Sequence, residues 1–193
     1  PYQTLVTEWR DCTRCALSAC RKNVVMLRGK IPCDVLFTGE APGNSEDVLG
    51  RPFVGPAGKL LDNIVAAAGL GEYRLAFANL LGCIPLGEDG KLGEPPEWAV
   101  AACAPRLTRL VELCRPRLLV CVGKHAGEYL EQGFKHSVKV PRGLPQVRIT
   151  HPAAILRANV ASQGLLSQKC VVTLRNAVEE YLQGGDDGAG SVP

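Results

Sequence analysis

No run of about 18 consecutive apolar residues occurs in the chain, which argues against an ordinary membrane-spanning helix. The opening residues, Pro1 to Glu8, lack the basic-then-apolar layout of a secretory signal, and the chain opens on Pro rather than Met, as a trimmed start would. No internal repeat is present, so solenoids and propellers are not indicated. Charge of either sign is scarce in excess: the formal net charge is +3, which permits a nucleic-acid partner without requiring one. The nine cysteines are odd in number, and Cys114, Cys121 and Cys170 stand inside apolar runs, an arrangement unlike a secreted disulfide framework. A reducing, cytoplasmic setting and a monomer are expected.

What is there suits one core. A length of 193 residues with 46% hydrophobic content supports a single domain, here residues 1–183, followed by a Gly- and Asp-rich tail, 184–193, with almost nothing to bury. Four short apolar runs bounded by turn residues read as buried strands: Val35 to Thr38, Leu75 to Asn79, Leu118 to Val122 and Val147 to Thr150. Between them, Leu60, Leu61, Ile64, Val65 and Ala68 share one helical face before Gly69, and Leu107, Leu110, Val111 and Cys114 share another before Pro116. A last amphipathic helix carries Val171, Leu174, Val178 and Tyr181. Alternating strands and helices predict an α/β fold, a three-layer αβα domain around a central four-stranded parallel sheet, with functional loops at the carboxyl ends of the strands.

Two stretches, Cys12 to Lys30 and Cys83 to Glu97, fit no periodic element, and long irregular loops usually need something to hold them. Cys12 and Cys15 form a C-x-x-C pair in the first; Cys83 and Cys103 flank the second. Four thiolates could clamp both loops around zinc or an iron-sulfur cluster, or the pair could be loop thiols or a redox couple. Cys20 is a reserve ligand; Cys33, Cys114, Cys121 and Cys170 read as small buried hydrophobes.

Directly after the first strand comes Gly39-Glu40-Ala41-Pro42-Gly43, then Asn44-Ser45-Glu46-Asp47, then Gly50-Arg51-Pro52-Phe53-Val54-Gly55. Alone, such a loop is a generic ligand site with exposed backbone amides, or simply a series of turns. Together with Ala57-Gly58-Lys59-Leu60-Leu61-Asp62, with Asn79-Leu80-Leu81-Gly82-Cys83, with Ala102-Cys103-Ala104-Pro105-Arg106-Leu107 and with His151-Pro152-Ala153-Ala154-Ile155-Leu156-Arg157, it resembles, in order, the motifs of the family 4, iron-sulfur uracil-DNA glycosylases. The resemblance runs from about Cys12 to Leu182 and implies that fold, excision of uracil from DNA for base excision repair, and a [4Fe-4S] cluster held by Cys12, Cys15, Cys83 and Cys103 as a structural staple.

The resemblance also implies roles. Phe53 would stack on a flipped pyrimidine, and Asn79 would pair with uracil O4 and N3–H in a way cytosine cannot match. His151 would donate to uracil O2 as negative charge builds there. Glu40, the carboxylate nearest the proposed site, would orient or activate water. Ala41, a substrate-binding position, stands where better-known relatives carry Asp, so catalysis would rely more on stabilising the leaving group. Glu46 would crowd the pocket near C5 and exclude thymine, while Asp47 would support the loop. Gly43 would contact the DNA backbone, Ile155 and Leu156 would wedge into the gap left by the flipped base, and Arg157 would reach a phosphate. Ala153 replaces the usual Ser, and Lys124 is a further backbone candidate. The partner is uracil-containing DNA, single- or double-stranded. No His lies among the nineteen residues between Cys83 and Cys103, so ordinary hydrolytic turnover is expected. Two alternatives stay open: a catalytically weak lesion-binding protein of this fold, and a broader glycosylase for deaminated bases.

Overall fold

The four apolar runs form the parallel heart of one sheet. In the computed structural model, which describes residues 1–87, 89–130 and 138–183, the strands are β2 (Val35–Gly39), β3 (Leu75–Asn79), β4 (Leu118–Val122) and β5 (Gln146–Ile149). A fifth, β1 (Arg28–Gly29), pairs antiparallel with β3 and makes the sheet mixed, in the order β1-β3-β2-β4-β5. Two residues without an apolar run carry no periodic signal, so the expected four-stranded sheet gains this edge only through pairing. The tail 184–193 lies outside the described residues.

Seven α-helices flank the sheet among the described residues: α1 (Tyr2–Trp9), α2 (Asn44–Leu49), α3 (Pro56–Ala67), α4 (Glu97–Cys114), α5 (Lys124–Leu130), α6 (Pro152–Arg157) and α7 (Val160–Val178). Strand side chains alternate between two cores, as a period of two requires. Leu36, Ala76, Ala78, Leu119 and Cys121 face α1, α4 and α5, while Val35, Phe37, Phe77, Leu118, Val120 and Val122 face α3, α6 and α7. The central strands are buried on both faces, which explains why they read as unbroken apolar runs. The two irregular stretches hold little regular structure: a 3-10 turn at Ala16–Ala19 and β1 in the first, an isolated Leu86–Leu92 bridge in the second.

Parallel strands end together, so Gly39, Asn79, Val122 and Ile149 deliver their following loops to one rim of the sheet. Backbone pairing continues past β2, with Leu80 N–H donating to Gly39 O (2.9 Å) and Leu81 N–H to Glu40 O (3.1 Å). The loops after β2 and β3 are thereby locked side by side.

Candidate active site

Gly39 lies where three elements meet. A Cβ added there would stand 2.5 Å from Asn79 Oδ1 and 2.5 Å from Phe53 Cζ, so the strand-end amide and the aromatic ring reach the same spot because glycine leaves it open. Asn79 is buried at the end of β3. Its main-chain carbonyl accepts from Arg106 Nη2 at 2.6 Å, and Leu80 O accepts from the same nitrogen at 3.0 Å. Arg106, on α4, is wholly buried and fastens the end of β3 from behind.

Phe53 holds a left-handed backbone (φ 55), uncommon for a bulky residue. Its main chain packs directly on Gly58 in the first turn of α3, and its ring sits 6.0 Å from the Phe77 ring, tilted by 58°. Glu46 ties the surrounding loop: Oε2 accepts from Gly43 N–H (3.1 Å), and Oε1 accepts from Val54 N–H (3.0 Å) and Gly55 N–H (2.8 Å). Asp47, buried, accepts from the main chain of Lys22 (2.9 Å) and Asn23 (3.3 Å), which anchors α2 to the first irregular stretch, a loop-supporting role. Ala41 packs against the core.

His151 caps α6. Its Nδ1 accepts from Ala153 N–H at 3.1 Å, so in the neutral ring the proton resides on Nε2 and makes that atom a donor. Burial, the largest influence, pulls its pKa below the usual 6.5, with Glu40 opposing and Arg157 assisting. Gly123 (φ 97) leaves room for the ring, since a Cβ there would stand 3.0 Å from His151 Cβ. The result is an uncharged imidazole with one N–H to offer.

Glu40 acts on two histidines. Besides its influence on His151, its Oε2 lies 3.0 Å from Nδ1 of His125, near the start of α5. His125 went unnoticed in the sequence, although its place just after a strand end is the address shared by Glu40, Asn79 and His151. That shared address was the signal.

A cleft of about 380 Å³ runs from Gly43 and Ser45 past Gly55 and Pro56 to Ala153, Leu156 and Arg157. It brings together the Gly43, Leu156 and Arg157 positions expected to meet DNA. Leu156 is 44% exposed, but Ile155 is 1% exposed and belongs to the core beneath α6. Of the two positions expected to wedge into DNA, Ile155 points into the core and Leu156 out of it, as neighbours on one turn of helix do.

Cys83 and Cys103 are buried, Cys12 and Cys15 half-buried, and all nine cysteines are free thiols. Burial, and after it Cys103 and Cys12, raise the pKa of Cys15, while burial followed by Cys103 pushes the Cys83 thiol up to about 12, with Cys15 adding to it. Cys103 Sγ also accepts from Gly82 N–H at 3.4 Å. Among the described residues no three of His, Cys, Asp and Glu converge on a single metal ion. A multi-iron cluster asks for something else, thiolates bound to separate irons. The donor set fits an anionic group of that kind, because the buried Arg106 has Nε and Nη1 without partners among the described residues and acts electrostatically on Cys83. A buried cation lacking a carboxylate is costly unless an anion faces it.

Residues 28–176 match the Uracil DNA glycosylase superfamily. The chain is 39% identical over 127 residues to the type-4 uracil-DNA glycosylase of Saccharolobus solfataricus, covering 65% of this chain and 57% of that protein. To the type-4 uracil-DNA glycosylase of Archaeoglobus fulgidus it is 36% identical over 166 residues, covering 79% and 81%. The corresponding figures for that of Thermotoga maritima are 33% over 156 residues, 77% and 79%. Among solved structures, wild-type SMUG2 of Pedobacter heparinus shares the fold, with a TM-score of 0.56 and 15% identity over 76% of each chain. Motif order, sheet topology and relatives agree: the chain belongs to the uracil-DNA glycosylase superfamily and, within it, to the type-4 uracil-DNA glycosylases, glycosidases of DNA repair.

Proposed function

We propose that the protein takes deoxyuridine out of the DNA stack, holds the base between Phe53 and Asn79, and hydrolyses its N-glycosidic bond as His151 stabilises the departing base. The observation that carries this is the His151 tautomer, fixed by Ala153 N–H on Nδ1. A buried neutral imidazole can aim Nε2–H at uracil O2, where charge develops as the bond to C1′ stretches, and it costs little reorganisation during reaction. Asn79 contributes one donor and one acceptor to O4 and N3–H; cytosine presents these exchanged.

Glu40 accepts a proton from the water that attacks C1′. Glu46 shapes the pocket wall through the backbone of Val54 and Gly55, on the side where a thymine methyl would intrude. Leu156 fills the gap in the stack, Gly43 offers backbone to a phosphate, and Arg157 pairs with another. All these groups come from one chain, which suits a cytoplasmic monomer on single- or double-stranded DNA. Cys12, Cys15, Cys83 and Cys103 would hold a [4Fe-4S] cluster, whose contribution when bound is to cross-link the two irregular loops; hydrolysis transfers no electrons.

The test is incubation with single- and double-stranded oligonucleotides carrying one uracil, followed by alkali. Wild type should cleave, and Asn79→Asp and His151→Ala should each be slower by roughly 100-fold or more, the scale of a lost transition-state donor. No cleavage by wild type would refute the reading. Visible absorbance of the purified protein tests the cluster.

A further inference from the structure

His125 and Glu40 are 85 positions apart in sequence and meet only because β2 and β4 are neighbours. The imidazole is 29% exposed and the carboxylate 26%, so core packing did not force the contact. An ionised carboxylate only accepts, so His125 Nδ1–H must donate to Oε2 at 3.0 Å. The far nitrogen, Nε2, faces Glu94 Oε2 at 4.0 Å, from the loop before α4.

Resting on the reading of Glu40 as the group that receives the water's proton, we propose that His125 is the positioning residue of Glu40. Its Nδ1–H occupies Oε2 and leaves Oε1 as the acceptor for the attacking water. As the water oxygen bonds to C1′, the C1′–N1 bond breaks and its electron pair leaves on uracil; the water proton passes to Oε1, and His125 keeps its own proton throughout. Without that hydrogen bond a glutamate on a loop samples several rotamers, few of which face the sugar.

Among the described residues, the charged groups acting on His125 are Glu40 from just after β2, Glu94 from the loop before α4 and Glu128 from α5; Glu40 also acts on His151. These three are acidic, Glu40 foremost, and together they hold the pKa of His125 above the usual 6.5 against the opposing effect of burial. The Nδ1–H donor is present in both the charged ring and this neutral tautomer, so positioning persists across neutral pH.

The experiment compares wild type, His125→Ala, His125→Asn, Glu40→Gln and the His125→Ala/Glu40→Gln double variant. Each is assayed by single-turnover uracil release and by affinity for a cleavage-resistant 2′-fluoro-deoxyuridine oligonucleotide. His125→Ala should slow release by roughly 10- to 100-fold, a fraction of a full acid-base contribution, with affinity unchanged within about twofold. His125→Asn, whose amide N–H takes the place of Nδ1–H, should recover to within about threefold of wild type, and in the Glu40→Gln background His125→Ala should add less than about twofold. A slow Glu40→Gln beside a fast His125→Ala would overturn the positioning role alone. A fast Glu40→Gln would overturn both that role and the reading of Glu40. Loss of affinity in His125→Ala without recovery in His125→Asn would overturn the proposal in favour of a purely structural histidine.

Discussion

The guanidinium of Arg106 donates to the main-chain carbonyl of Asn79 at 2.6 Å. A fully buried cation on α4 thus sets the last residue of β3, the one assigned to read the base, while its Nε and Nη1 remain unpartnered beside the loop of Cys83. Arg106→Leu should cost about 2–4 kcal/mol, since two buried carbonyls lose a charged donor. It should also weaken discrimination of uracil from cytosine. Urea denaturation and competition between the two substrates measure the two effects.

Gly39→Ala should damage catalysis more than stability. The added methyl would stand 2.5 Å from both Asn79 Oδ1 and Phe53 Cζ, and neither can retreat without leaving the pocket. Overpacking of this size costs about 1–3 kcal/mol. A shift of about 1 Å at a reacting group can slow turnover by roughly 100-fold. Single-turnover kinetics alongside thermal melts separates the effects, and a variant with full activity would show that Asn79 and Phe53 do not act at this spot.

Glu46→Gln exchanges one acceptor oxygen for an NH2 group facing main-chain N–H donors. Gly43, or Val54 and Gly55, would lose their partner, a penalty of about 1–3 kcal/mol. Faster amide hydrogen exchange confined to residues 43–55 is the expected signature, with weaker DNA binding.

The two histidines should drive stability in opposite directions with pH. His151 has a lowered pKa in the folded chain, so the unfolded chain binds more protons; its contribution is present above about 6.5 and is lost as pH falls through that value toward the lowered one. His125 has a raised pKa, so its contribution is present below about 6.5 and is lost as pH rises through the raised value. His151→Ala should flatten the acid side of a stability-pH profile, and His125→Ala the alkaline side. Denaturant midpoints at a series of pH values decide this.

The inner strands β2, β3 and β4 were legible because burial on both faces leaves unbroken apolar runs, and the two irregular stretches because such runs are missing there; β5, at the sheet edge with Arg148 exposed, carries a weaker signal. The left-handed Phe53 and the inward turn of Ile155 were not, because φ and helix phase at a six-residue α6 depend on packing rather than on local composition. The Asn79 and His151 positions could be found at strand ends. The His125–Glu40 contact could not, since it joins neighbouring strands that are distant in sequence; the place of His125 just after a strand end marks the position but not its partner.

Arg28 lies 4.1 Å over the Phe77 ring and pairs with Asp62 at 2.7 Å, so the two-residue strand β1 is held down by its side chain as well as by its ladder. β3 is therefore never an outermost strand. An uncovered edge there would offer its amides and carbonyls to any passing extended chain, and association of that kind would pull directly on the strand that ends in Asn79. Two residues and one ion pair thus cover part of the edge of the strand that ends in Asn79.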